Sequence, residues 1–294
     1  MTTSTRWIRR AAVVLGAGAA AGTVAASLAS RRWYGETRRL LNRLPGSASG
    51  APRIVRFETL SALPPPVQRY FRHVLREGQP FIAKASISQE GQFRSKEAAD
   101  PEAGWRPFTA NQVLASSPPG FVWDARIRMG PVGSVWVRDT YLADRASMLG
   151  SIMGTLPVVK ASDGPELRAG SLQRYLAEAV WVPTALLPAS GVRWSPIDDS
   201  HARASITEGG TTVTLDFEFG ADGTILSAYS AGRLRADPSN KGRYLRLPWG
   251  GRYRRYEEHG GMLVPVESEV YWIVNGREQP YYRGRNVRFE YHFQ

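Results

Sequence analysis

Cysteine is absent from this chain of 294 residues. Its absence excludes a disulfide scaffold, metal sites held by thiolates, thiol catalysis and a lipid-modified N-terminal cysteine. The sequence also lacks a phosphate-binding loop, a GxSxG nucleophile motif and histidine pairs at metal-ligand spacing, although it has four histidines. We therefore predict no metal and no cofactor.

Positive charge is concentrated at the start of the chain. Residues 1–50 hold eight arginines and one acidic residue, Glu36, and so carry +7 of the net charge of +12. A nucleic-acid-binding protein normally concentrates its basic charge on the folded domain. Here the arginines flank an uncharged stretch instead, so we predict a membrane partner and no nucleic acid.

The uncharged stretch, Ala11–Ser30, has 20 residues. A helix of that length can cross a hydrocarbon core of about 30 Å. Because alanine and glycine dominate the stretch, a cleaved signal peptide is an equally open interpretation of residues 1–32. Both interpretations place the protein at the cell membrane or export it to the periplasm or another extracytoplasmic space. The orientation of the body stays open, since arginines both precede and follow the stretch.

The rest of the chain is predicted to be a linker, residues 33–60, followed by a single α+β domain, residues 61–294. The linker assignment depends on the Pro-, Gly- and Ser-rich segment 45–52. A helix is predicted after the prolines that begin at Pro64, and a second helix after Ser171, from apolar residues at helical spacing.

Most of the domain alternates apolar and polar residues with a period of two. The segment Phe121–Met129 is one such strand, and Asn275–Gly276 is a strong hairpin signal. Strands in sequence, two helical insertions and no βαβ alternation predict one large antiparallel sheet with helices on one face. A sheet of eight or nine strands tends to curl. The predicted fold is therefore a curled antiparallel sheet whose concave face is covered by helices, preceded by an N-terminal hydrophobic helix.

Aromatic and methionine side chains are frequent on these alternating positions. On the concave side of a curled sheet they would line a cavity for an acyl chain, and the alternative is an ordinary packed core. The predicted lining residues are Trp123, Met129, Trp136, Tyr141, Met148, Met153, Trp181, Phe217 and Tyr229.

Four charged residues stand out as polar candidates: Asp124, Arg138, Glu178 and Glu267. Glu267 and Glu269 share one face of a strand, where a carboxylate pair can transfer protons or simply pair with the abundant arginines. No nucleophile or base with an orienting partner accompanies them. The sequence therefore favours a protein that is not an enzyme, with catalysis by these carboxylates as the alternative.

Five segments resemble a bacterial family of uncharacterised proteins, a domain-of-unknown-function family covering about residues 60–294. They are Leu63–Val74, Trp105–Gln112, Pro118–Asp124, Tyr175–Leu187 and Pro280–Arg285. The family implies no activity and no catalytic residue. The order of helices and strands is also similar to lipoprotein carriers of the LolA and LppX type. This similarity implies an unclosed half-barrel whose concave face, lidded by helices, takes acyl chains.

The sequence thus leads to three functional hypotheses. The first is a cell-envelope protein that binds an apolar ligand, a lipid or a lipoprotein acyl chain, in a half-barrel cavity. The second is an enzyme that acts on an amphipathic substrate through carboxylates. The third is a structural or interaction module of the envelope. A roomy apolar cavity favours the first, convergent carboxylates of raised pKa favour the second, and a filled interior favours the third.

Overall fold

The structure is a computed structural model that describes residues 27–46, 52–94, 100, 102–130, 133–237, 239–240 and 242–294. Its helices are α1, described over residues 27–43, α2 (Pro65–Val74) and α3 (Pro165–Glu178). Short 3-10 turns occupy Phe57–Leu60, Ala179–Trp181, Pro183–Leu186 and Pro188–Ser190. The strands are β1 (Ile82–Phe93), β2 (Arg106–Ala115), β3 (Gly120–Arg128), β4 (Ser134–Leu142), β5 (Arg145–Ile152), β6 (Leu156–Ala161), β7 (Arg193–Pro196), β8 (His201–Glu208), β9 (Thr211–Phe219), β10 (Ile225–Ala236), β11 (Tyr244–His259), β12 (Met262–Val274) and β13 (Arg277–Phe293).

Within the described residues, these 13 strands form one antiparallel sheet in the order β6-β5-β4-β3-β2-β1-β13-β12-β11-β10-β9-β8-β7. Each half of the sheet is a meander of neighbouring strands, and pairing of β1 with β13 joins the halves. The edges are β6 and β7, so the sheet is a curled half-barrel that does not close. The chain passes from one edge to the other through α3.

Side chains along each strand point alternately to the two faces of the sheet, and this alternation decides which residues enter the inner core. In β3, Phe121, Trp123 and Ala125 point to the inner face, against which α3 packs, and Val122 and Asp124 point to the outer face. Turn chemistry fixes the register of the last hairpin. Asn275 and Gly276 have φ of 51° and 74°, the left-handed conformations that a two-residue hairpin needs.

The main core lies on the inner face. Leu172, Tyr175 and Leu176 of α3 are at most 1% exposed and pack on the sheet. Tyr70 and Phe71 of α2 belong to the same core, so α2 covers a second part of the inner side. The predicted fold is confirmed in its coarse form, a curled antiparallel half-barrel with helices on its inner face.

Helix α1 packs on the outer face and builds a second, smaller core. Leu44, just after the helix, lies with Ala115, Val122 and Leu142 in a buried cluster separate from the main one. Residues 33–43, which the sequence analysis assigns to a linker, are therefore helical and attached to the sheet. They bury apolar side chains that a linker would expose.

The predicted N-terminal hydrophobic helix falls mostly on residues 1–26, which lie outside the described residues. Its last four positions, residues 27–30, form the beginning of α1 as described. In the part of the chain that the structure describes, no helix is both long and apolar enough to cross a membrane.

Candidate functional site: the inner face beneath α3

The nine predicted lining residues divide between three places. Four are buried in the inner core: Trp123, Tyr141, Trp181 and Phe217. Met148 stands opposite Asp139 in the register of β4 and β5, so its half-buried side chain also faces inward. The structure therefore brings five of the nine to the inner face.

The other four lie elsewhere. Trp136 makes an edge-to-face contact with Trp33 of α1, so it belongs to the outer face. Tyr229 stands opposite Gly250 in the register of β10 and β11, and Gly250 stands opposite Tyr271 in that of β11 and β12. Tyr229 therefore lies on the outer face, where the guanidinium of Arg252 lies over the ring of Tyr271. Met129 and Met153 are 51% and 41% exposed. They occupy the turns that end two hairpins.

The four polar candidates are not brought together. Asp124 and Arg138 lie on the outer face beneath α1, where each bonds to Thr37. Glu267 lies on the outer face of β12 and pairs with Arg255. Glu178 alone faces inward, at the end of α3. No catalytic set forms from these four residues.

A buried ion triad joins α3 to the sheet. The guanidinium of Arg174 donates to Asp139 Oδ2 at 2.6 Å and to Glu178 Oε1 at 2.8 Å. Its plane lies over Phe121 and Trp123, with centroid distances of 4.8 and 5.0 Å. The three charged side chains are 6–17% exposed. One cation thus neutralises one of two carboxylates in a nearly dry environment.

Hydrogen bonds extend this triad across three strands. Gln112 of β2 donates to Glu178 Oε2 at 2.6 Å, and Gln89 of β1 donates to Gln112 at 3.2 Å and to Asn286 of β13 at 3.0 Å. The indole of Trp123 donates to Gln89 at 2.8 Å. The inner face therefore carries a continuous polar network inside its apolar core.

In the triad, burial and ion pairing shift the pKa values of Asp139 and Arg174 in opposite directions. Burial raises the pKa of Asp139, and Arg174 offsets only part of that rise. Burial opposes the charge of Arg174, but Glu178 and Asp139 together raise the pKa of its guanidinium above the ordinary value. Arg174 is therefore a permanent cation, and burial disfavours the ionised form of Asp139.

The sequence analysis did not identify five members of this network as candidates: Gln89, Gln112, Asp139, Arg174 and Asn286. A signal was present, because Gln89 and Gln112 interrupt two inward-facing rows of small and apolar residues. A buried polar residue on such a row needs a partner. The sequence alone does not show that the partner is a charged residue of an inserted helix.

Further polar contacts hold α3 along its length. Gln173 donates to Ser230 Oγ at 3.0 Å, and Arg233 donates to the carbonyl of Gly170 at 3.0 Å. Near the end of the helix, Tyr253 donates to the carbonyl of Ala177 at 2.8 Å. The helix is thus attached to the inner face by hydrogen bonds as well as by its apolar side chains.

Some buried polar atoms of the inner face make no hydrogen bond. Among the described residues, Asp139 Oδ1, Asn286 Nδ2 and Arg233 Nε have no hydrogen-bond partner. An unmade hydrogen bond of a buried group costs about 1–3 kcal/mol, so such atoms mark positions where a further polar group is stabilising. Two of the three atoms are donors, which suits an acceptor such as a carboxylate or phosphate oxygen.

Two grooves lie on the outer face. One, of about 740 Å³, is lined by cross-strand charges that include Glu90, Arg254, Glu267 and Arg285. The other, of about 520 Å³, lies between α1 and strands β1–β3. Within the described residues, no three His, Asp or Glu side chains are grouped closely enough to hold a metal ion.

Asp163 ties the start of α3 to β5. It accepts hydrogen bonds from Arg168 of α3, at 2.9 and 2.6 Å, and from the backbone N–H of Ala146 at 3.0 Å. The Arg168 hydrogen bonds are the main cause of lowering the pKa of Asp163 from 3.8 to about 2. Since this pKa is depressed by folding, its stabilising contribution is present above pH 3.8 and is lost as the pH falls toward 2.

We expect Asp163→Asn to accelerate hydrogen exchange in the first turns of α3, because the amide loses the charge-assisted bonds to Arg168. The loss should be under about 1 kcal/mol, since both side chains are partly exposed. The protection factors in the first turns of α3, in which the intrinsic pH dependence of amide exchange cancels, should also change less between pH 4 and 2 in the variant than in the wild type. The control is Asp198→Asn, which removes a carboxylate of similarly low pKa from the β7–β8 turn. Equal exchange in α3 for both variants would contradict the prediction.

Comparison with known families gives a match over most of the domain. The model of DUF6920, described as a family of unknown function, matches residues 61–291. No curated protein matches the chain.

Two solved structures are similar. A LolA superfamily protein from Nitrosomonas europaea shares 10% identity at a TM-score of 0.30, over 78% of this chain and 93% of that one. A beta-barrel-like protein of DUF1849 from Brucella abortus shares 11% identity at a TM-score of 0.25, over 72% of this chain and 99% of that one. The resemblance to the LolA type that the sequence predicts is thus found in a solved structure.

Proposed function

The chain belongs to DUF6920, a family of unknown function, and we propose that it binds an amphipathic anionic ligand, such as a fatty acid, on the inner face beneath α3. The observation that carries this proposal is the combination of a buried apolar sheet face with unpartnered polar atoms under a helix held by replaceable hydrogen bonds. We also propose that the protein works at the cell membrane or in an extracytoplasmic compartment, because of the uncharged stretch Ala11–Ser30.

The site is closed in this structure. Trp123 is 5% exposed, because the guanidinium of Arg174 on α3 lies over its ring, and Phe217 is fully buried. Binding therefore requires α3 to move away from the sheet. The bonds made by Gln173 and Tyr253 can be exchanged for water or ligand oxygens at small net cost, since a typical net hydrogen-bond contribution is about 1 kcal/mol.

Arg233 is the residue that we assign to the ligand's anionic group. Its guanidinium lies over Trp249 and Trp272, with distances of 4.4 and 5.5 Å to the ring centroids. Its Nε donates no hydrogen bond to any described residue. A carboxylate accepting from Nε would satisfy this donor. The aromatic rings beside it would contact the first methylene groups of the chain.

The test is uptake of cis-parinaric acid, a fatty acid that fluoresces when bound, by the full chain. We expect saturable binding, at least tenfold weaker binding in Arg233→Met, and several-fold faster uptake in Gln173→Ala because that variant loosens α3. The matched control is Arg203→Met, which removes an arginine paired with Asp216 on strands β8 and β9. Native mass spectrometry of protein from its own host should show a bound amphiphile.

Two results would contradict the proposal. One is the absence of both probe binding and a co-purifying amphiphile. The other is binding that neither Arg233→Met nor Gln173→Ala changes, which would place the ligand elsewhere.

A second candidate function, a structural module of the envelope, is favoured by the filled inner face itself. A protein of this kind needs no opening of α3. Failure of the uptake experiment, together with no change of exchange in α3 on adding fatty acid, would support it.

A further inference from the structure

Four large apolar side chains are exposed together at the ends of two neighbouring hairpins, β3–β4 and β5–β6. They are Met129, Ile152, Met153 and Leu156, which are 41–60% exposed, and we call them the hairpin-tip patch. The hairpins are tied together, since the backbone N–H of Met153 donates to the carbonyl of Ser134 at 2.9 Å. Large apolar side chains exposed at neighbouring hairpin ends are typical of an interaction site.

The described start of helix α1 lies toward this patch. Trp33 contacts Trp136 near the end of β3, whereas Leu44 contacts Gly120 at its beginning, so α1 runs antiparallel to β3. The six residue steps from 27 to Trp33 span about 9 Å of helix. The three residue steps from Arg126 to Met129 span about 10 Å of extended chain. The described start of α1 therefore lies near the level of the hairpin tips.

That start is also the end of the uncharged stretch Ala11–Ser30. The chain passes from this stretch into α1 within one helix, without a break over residues 27–43. The described end of the stretch, residues 27–30, therefore lies on the side of the hairpin tips.

Aromatic and basic side chains lie on the strands and the helix next to the patch. Tyr34 of α1 is 56% exposed and lies 6.0 Å from Trp136, centroid to centroid. Arg31, Arg32, Arg128 and Lys160 are exposed on α1, β3 and β6. Tyrosine and tryptophan prefer the membrane interface, and arginine and lysine are attracted to anionic headgroups.

The edge strand β6 is unsuited to pairing with a second copy. It contains Pro157, which has no N–H to donate, and Lys160, and the β5–β6 ladder is irregular between Gly150 and Ser151. Proline, lysine and irregular pairing are the features that keep exposed edges from associating. The apolar side chains of β6 thus fit a lipid surface better than another strand.

We propose that the hairpin-tip patch inserts into the interface of an anionic lipid bilayer, which holds the half-barrel in one orientation with the β3–β4 and β5–β6 tips on the membrane. This inference does not depend on the ligand beneath α3. It concerns a different face of the molecule and would stand if no fatty acid bound there.

The experiment uses the absence of cysteine, which allows one label per molecule. Leu156→Cys and Ile197→Cys place the environment-sensitive fluorophore NBD at two positions of similar exposure, 60% and 47%, on opposite edges of the sheet. The full chain is reconstituted in vesicles of phosphatidylcholine with phosphatidylglycerol, with and without brominated acyl chains. We expect a blue-shifted NBD spectrum and several-fold stronger bromine quenching at Leu156 than at Ile197. Arg128→Glu with Lys160→Glu should reduce the quenching at Leu156.

Three outcomes would overturn the proposal. Equal quenching at the two positions would mean that the body has no fixed orientation. An unquenched, unshifted label at Leu156 would mean that the patch stays in water. Excimer emission from pyrene at Leu156, without bromine quenching, would show that the edge pairs with a second copy instead.

Discussion

Replacing Arg174 with methionine should lower the free energy of unfolding by about 3–5 kcal/mol, the usual cost of removing one partner from a buried ion pair. The variant leaves the carboxylates of Asp139 and Glu178 buried without their cation. Methionine retains part of the packing on Phe121 and Trp123, so the loss is mainly electrostatic. For a domain of this size the melting temperature should fall by about 10 °C. Chemical denaturation and calorimetry measure both quantities.

Two controls separate charge from packing. In the triple variant Asp139→Asn, Arg174→Met and Glu178→Gln, both carboxylates are neutralised, so most of the lost stability should return. Arg203→Met removes a more exposed arginine, 53% accessible, and should cost under about 1 kcal/mol. A single Arg174→Met variant as stable as Arg203→Met would show that the triad is effectively solvated. The ligand site would then be wetter than we propose.

Arg174 also shows how far the sequence predicts the site. The inward positions of Trp123 and Phe217 follow from strand alternation, because period two assigns every residue of a strand to one face. The partners of an inserted helix do not follow in this way. Arg174 reaches a strand residue, Asp139, that is distant in sequence, and only the topology brings β4 beneath α3. The sequence therefore predicted only part of the apolar inner face, since Trp136 and Tyr229 lie on the outer face, and it did not predict the charges of the inner face.

The hairpin β12–β13 and helix α2 were predicted from local signals, Asn275–Gly276 and a Pro-initiated amphipathic pattern, and the structure contains both. Helix α3 begins at Pro165 rather than after Ser171, because proline is favoured in the first turn. Helix α1 was not predicted over residues 33–43, which were assigned to a linker. Its buried positions, such as Trp33 and Thr37, are few and lie between exposed arginines, so the pattern indicates a soluble linker until the outer face of the sheet is known.

Replacing Trp33 with alanine should detach α1 from the sheet while leaving the half-barrel folded. Trp33 is 4% exposed, its indole N–H lies 3.0 Å from both carboxylate oxygens of Asp124, and its ring contacts Arg138 and Trp136. Truncating a buried tryptophan typically costs about 3 kcal/mol or more. This cost falls on the docking of α1, because the cluster beneath the helix is separate from the main core. Amide exchange in residues 33–44 should therefore accelerate about 100-fold.

The control for Trp33→Ala is the neighbouring variant Tyr34→Ala, which removes a ring that is 56% exposed and should change exchange in α1 little. Exchange in β9–β12 should stay at its wild-type rate in both variants, since opening of a peripheral element does not unfold the core. Faster exchange throughout the sheet of Trp33→Ala would mean that α1 belongs to the main cooperative unit. If α1 is the rigid connection to the membrane that we infer, the same variant should also weaken bromine quenching of a label at Leu156, because a detached helix no longer holds the hairpin tips against the bilayer.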